Sequence, residues 1–191
     1  MADSYRLQIT GFRFSVKPAF IKSLIIGLAL TASLIAPAAA HQPVLLDKQS
    51  RQSRTSPVLV EGSISFAVTA SFKKGSQNKY FRFALNEGER LKLEYLILDR
   101  KPENQIKKAN LPLVTIESPS GKLLTLKPNE RTKFFEPYGK QNYLFLSRVN
   151  QEGESGIYTV KIRTQVKYSI LIAFGSEEIR GEVLPVGSSR G

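Results

Sequence analysis

From Ile64 onward the chain alternates. Ile64, Phe66, Val68, Ala70 and Phe72 fall on one side of an extended segment, with Ser63, Ser65, Thr69 and Ser71 opposite. A period of two is that of a half-buried strand, whose successive side chains point to opposite faces. KKGSQN (73–78) supplies a turn; Phe81, Phe83 and Leu85 then line the next strand as far as NEGE (86–89). Leu91, Leu93, Tyr95 and Ile97 come next on one face, with Leu96 and Leu98 on the other, so this strand is predicted to be central or covered.

DRKPENQIKKAN (99–110) reads as a long polar connection. Leu113, Val114 and Ile116 resume a strand, SPSG (118–121) turns, and LLTL (123–126) returns as its hairpin partner. Residues 128–140 read as irregular, broken by Pro128, Pro137 and Gly139. Further strands are predicted over Tyr143–Val149, around Tyr158, Val160 and Ile162, and over Tyr168–Phe174. About eight or nine short strands, with turns between them and no amphipathic helix, predict an all-β fold. Each sheet must bury its apolar face against another, so a two-sheet antiparallel β-sandwich, jelly-roll or Ig-like, is expected, with a barrel as the runner-up.

Before this region the pattern changes. Residues 1–22 are polar and basic, SLIIGLALTASLIAPAAA (23–40) carries no charge, and Ala38 and Ala40 meet the small-residue requirement for cleavage ahead of His41. Residues 1–40 are therefore expected to be a signal peptide, the mature protein to be periplasmic or secreted, and no transmembrane helix to remain after processing. The competing reading is a retained anchor, since the uncharged stretch is at the lower edge of spanning length. Residues 41–57 read as an N-terminal arm pinned by Val44, Leu45 and Leu46, 58–175 as the sandwich, and 176–191 as a flexible tail.

Composition narrows the chemistry. The 191 residues carry a net charge of +12, no Cys, no Trp and one His. Without Cys there are no disulfides, thiol redox steps or Cys metal sites. A basic surplus attracts anions, so an anionic envelope polymer or a secreted protein is the partner expected, and nucleic acid is not. The plainer reading of the same charge is a solvated basic surface, because Lys and Arg are scattered rather than clustered.

The span from about Ser63 to Thr164 resembles the bacterial pre-peptidase C-terminal domain, a small β-sandwich attached to secreted hydrolases. The residues that carry the likeness are ISFAVTASFKKGSQNKYFRFALNEGERLKLEY, VTIESPSGK and the closing GIYTVKI (156–162). The resemblance implies an accessory role, in export or in holding an enzyme near its substrate. The module is expected to stand without the catalytic domain that precedes such modules, and no acidic calcium loop of the D-x-D-x-D-G kind occurs in these 191 residues.

Catalytic constellations are sparse. A Ser-His-Asp triad would depend on His41, and G-x-S-x-G, Walker and dinucleotide glycine motifs are absent. Carboxylate pairs among Glu87, Glu89, Glu94, Asp99, Glu117, Glu130 and Glu136 remain open, with solvated charge as the plainer reading. No enzyme activity and no cofactor are expected. Two binding candidates stand out. The segment RTKFFEPYGKQNY (131–143) interleaves Phe134, Phe135, Tyr138 and Tyr143 with Arg131, Lys133 and Lys140, stacking faces among cations that could take a sugar, an anionic polymer or a partner protein. Its plainer reading is a loop plugged into the sandwich end by Phe134 or Phe135. The alternative candidate is copper: His41, once N-terminal, would offer an α-amine and an imidazole, with Asp47 as a weak oxygen ligand.

Overall fold

Alternating burial along twelve strands builds two six-stranded sheets in a computed structural model, which describes residues 41–165 and 167–185. The expected leader, residues 1–40, and the last six residues of the expected tail lie outside the described residues. The strands are β1 (Gln42–Leu46), β2 (Val58–Leu59), β3 (Phe66–Ser71), β4 (Gln77–Leu85), β5 (Arg90–Leu98), β6 (Leu113–Glu117), β7 (Leu123–Leu126), β8 (Thr132–Glu136), β9 (Gln141–Glu152), β10 (Gly156–Thr164), β11 (Ser169–Phe174) and β12 (Val183–Leu184). The first sheet runs β1-β3-β11-β5-β9-β8, the second β12-β2-β4-β10-β6-β7.

The fold is the expected all-β sandwich and not a barrel. Inward residues of both sheets, among them Val68, Leu93, Ile172, Val160 and Ile116, form one dry cluster. Aromatic rings knit the sheets together. Phe174 of the first sheet lies 5.7 Å from Phe81 and 5.2 Å from Phe83 of the second, and Phe83 stacks on Tyr158 at 5.0 Å. Such pairs add about 0.5–1.5 kcal/mol each beyond the area they bury.

The sheets are mixed, which corrects the antiparallel expectation. β1 pairs in parallel with β3 and β2 in parallel with β4; the other pairs are antiparallel. Both exceptions come from residues 41–57 and the two residues after them. Read as an arm, this stretch contributes an edge strand to the first sheet and leads into β2 of the second, which lies between β12 and β4. Val44 and Leu46 pin β1 inward while Leu45 stands 75% exposed. The expected tail is also tied as far as Leu184, through a bridge from Glu177 to Ile64 and the pairing of β12 with β2.

One irregularity decides which side chains of β9 reach the outer face. Tyr95 pairs with Ser147 but Leu96 pairs with Phe145, so Leu146 is an extra residue in β9. The bulge keeps both Leu144 and Leu146 in the core and turns Phe145 to the outer face beside Leu96. The carbonyl of Leu146 accepts hydrogen bonds from the backbone N–H of Asn129 (2.8 Å) and Glu130 (3.2 Å), which fixes the approach to β8.

Candidate functional site: an apolar groove on the outer sheet face

A sandwich normally shows polar side chains on its outer faces, but part of the first sheet's outer face is apolar. Leu96 of β5, Phe145 of β9 and Ala173 of β11 are buried there in a second apolar cluster, with Phe134, Tyr143 and Leu171 packed against it. The register explains the grouping. Phe134 of β8 lies opposite Tyr143 of β9, and Leu171 of β11 opposite Leu96 of β5. The Phe134 and Phe145 rings are 5.2 Å apart.

The turn after β8 raises one wall over this surface. Glu136 accepts hydrogen bonds from the backbone N–H of Tyr138 (2.8 Å) and Gly139 (2.5 Å), and Lys140 takes a left-handed φ of 50° to close the hairpin. A Cβ on Gly139 would lie 2.8 Å from the Glu136 carboxylate, so a side chain there would displace the carboxylate that holds the turn. Tyr138 is thereby held at the rim, half exposed. On the opposite side stand His41 and Pro43. Gln42 donates its N–H to the Ser65 carbonyl at 2.8 Å, and the Nδ1 of His41 hydrogen-bonds the Ser65 hydroxyl.

Between these walls lies a groove of about 240 Å³, floored by Ala67, Thr69, Leu96, Leu171 and Ala173 and flanked by Phe134 and Tyr143. Thr69, Tyr143 and Leu171 also border a smaller hollow of about 50 Å³ that reaches Leu98, so the apolar track continues across the sheet. Its acidic groups are Glu94 and Glu136. Burial, aided by the negative charge of Glu136, raises the Tyr143 phenol above its ordinary pKa, so it stays a neutral hydroxyl at the groove edge. Behind the groove Arg148 lies 4.7 Å over the Phe145 ring and grips Glu130 through two hydrogen bonds of 2.9 and 2.7 Å. That grip holds the Glu130 carboxyl below the usual range.

Phe134, Tyr138 and Tyr143 of the 131–143 segment therefore meet in one place, together with His41. The cations of that segment do not join them. Arg131 turns to the connection before β6, donating to the carbonyls of Asn104 (2.8 Å) and Ile106. Lys133 and Phe135 alternate with Phe134 along β8 and are exposed, and Lys140 is exposed at the turn. Phe134 plugs onto the outside of the sheet rather than into the sandwich end. Leu171, Ala173 and Ala67 were not foreseen as site residues, and Glu94 was named only as a carboxylate open to pairing; the apolar second face of SILIAF (169–174) was the signal for Leu171 and Ala173.

For copper, a chelate closed by the α-amine of an N-terminal His41 uses Nδ1, the nitrogen engaged by Ser65. Among the described residues no group of three His, Cys, Asp or Glu side chains is arranged to hold a metal. No family model matches the chain, and no curated protein is significantly similar to it. The groove is described by its own chemistry: apolar floor, aromatic wall, acidic margins.

Proposed function

We propose that this is an exported, non-catalytic β-sandwich acting as a binding module at the cell envelope, and that the groove receives an apolar, basic segment of a partner protein. The observation that carries the reading is the apolar cluster of Leu96, Phe145 and Ala173 on the solvent side of the first sheet. The side chains that cover this cluster, Phe134, Tyr143 and Leu171, are only partly buried, and an apolar surface with polar margins is the ordinary mark of an interaction site. Leu45 and Tyr138, both more than half exposed, extend it.

Charge selects the occupant. The chain is strongly cationic, yet the acidic groups lining the groove are Glu94 and Glu136, so Lys or Arg beside apolar residues is favoured over Asp or Glu. The likeness to the pre-peptidase C-terminal domain supports the same accessory role, and the leader supports the location. An anionic envelope polymer would bind away from this groove, and a copper-carrying role for His41 would require Ser65 to release Nδ1.

Fluorescent peptides test the reading. A peptide carrying Leu and Lys should bind the protein more tightly than one carrying Leu and Glu or one carrying Ser and Lys. Thr69→Lys, which sets a cation into the groove floor, should abolish the difference while leaving the melting temperature near wild type. Equal binding of all three peptides would contradict the reading, and so would a preference that Thr69→Lys leaves intact.

A further inference from the structure

At the end of β1 the surface has a different character. Leu46 and Asp47, the short helical turn Gln49–Arg51, and the residues on either side of the β3–β4 turn enclose a cleft of about 290 Å³. Four cations line it, Lys48, Arg51, Lys73 and Lys79, against one carboxylate, Asp47.

The cations are not neutralised locally. Among the described residues the ion pairs are Lys122–Glu154 and Arg148–Glu130, and none of the four takes part. Asp47 is occupied with the backbone: one carboxylate oxygen accepts the N–H groups of Gln49 (2.8 Å) and Ser50 (3.2 Å) and the Ser50 hydroxyl (3.3 Å). Lys79 is the unusual member. It is 9% exposed, and its ammonium donates to the carbonyls of Leu46 and, at 3.2 Å, Asp47. An ammonium has three donors, so one remains after those two carbonyls. Burial lowers the Lys79 pKa and the positive charge of Arg51 lowers it further, against the opposing pull of Asp47. A buried cation facing another of like sign is costly unless an anion joins them.

We propose that this cleft binds a phosphate-bearing anion, with Lys79 at its floor and Lys48, Arg51 and Lys73 closing on the oxygens from the rim. Arg51 supplies a planar donor fork suited to phosphate oxygens, and the lysines supply mobile point charges. A volume near the low end of ligand pockets, about 300 Å³, suits a phosphate group and the first atoms of its carrier. The same chemistry is offered by a phospholipid headgroup and by a soluble phosphorylated chain. The site is independent of the groove.

Two probes separate those sources: inorganic polyphosphate, and vesicles of phosphatidylglycerol with phosphatidylcholine vesicles as the neutral control. Binding is measured with the protein as isolated from cells expressing the full chain, with an Arg51→Gln/Lys73→Gln variant, and with a Lys107→Gln/Lys127→Gln variant that loses the same charge elsewhere. All four residues are exposed, and equal melting temperatures check that each variant folds. The cleft variant should bind at least about tenfold more weakly than wild type, a loss of one or two charged hydrogen bonds, and the control variant less than about twofold. The probe that responds identifies the source. If neither probe binds, if the cleft variant binds as wild type does, or if both variants weaken equally, the charge is diffuse and the proposal falls.

Discussion

The ring of Phe134 lies 5.2 Å from that of Phe145, tilted by 37°, on the solvent side of a sheet whose other face builds the core. The bulge at Leu146 makes this meeting possible, since without the extra residue Phe145 would exchange faces with its neighbours. Phe145 is nearly buried by the contact and Phe135, one residue along β8, is not. Phe145→Ala should therefore cost about 3 kcal/mol in urea unfolding, and Phe135→Ala no more than about 0.5 kcal/mol. Equal effects would mean that the outer cluster is not packed.

Within the core, the Tyr95 hydroxyl donates to the Pro112 carbonyl at 3.0 Å, both buried. It ties β5 of the first sheet to the approach of β6 in the second. Tyr95→Phe keeps the ring but strands that carbonyl, and should lower unfolding stability by about 1–2 kcal/mol with an unchanged denaturant slope.

Gly175 ends β11 with φ at +72°, and a Cβ there would sit 2.0 Å from the Ile64 carbonyl oxygen. Both the backbone angle and the space demand glycine. Gly175→Ala should cost about 2–4 kcal/mol, read from the thermal midpoint together with calorimetric enthalpy.

The period-two strands were legible because they are long. β3, β4, β5, β10 and β11 each alternate over six to nine residues, enough to show which face is apolar. β1, β2 and β12 are two to five residues long, and a segment such as QPVLL offers Val44 and Leu46 as its whole inward pattern. Their sheet partners, and hence the parallel pairs, depend on distant residues. β8 was hidden because TKFFE places one Phe on each face between two prolines. The groove was half legible. Its aromatic wall and His41 could be read, but the separation of Arg131, Lys133 and Lys140 from that wall comes from register and turn geometry, which one residue of slip would reverse.

Acid should act through Glu154. The Ser120 side chain, with the Ser120 N–H, the Ser118 hydroxyl and Lys122, holds its carboxyl down to about 2. A folded value below the ordinary 4.5 means that this group favours the native state fully above pH 4.5 and loses that effect as the pH falls toward 2. Glu154→Gln should therefore flatten the fall in melting temperature over that window and leave the neutral plateau parallel to wild type. A carbon-detected NMR titration that places Glu154 near 4.5 would remove the basis for it.

If the leader is cleaved behind Ala40, mass spectrometry of the protein recovered from the envelope or medium should find His41 at the N-terminus. Protein retained in the cytoplasm with Met1 in place would contradict export.

The groove itself is tested most directly inside the cell. A photo-crosslinking amino acid placed at Leu171, in the groove, is compared with one at Ile157, which is 54% exposed on a strand of the opposite sheet. Discrete adducts with a partner protein are expected from position 171, absent from 157 and lost when Thr69→Lys is added. Adducts of the same kind from both positions, or none from 171 in cells where the protein is exported, would show that the outer face of the first sheet is not where this protein binds.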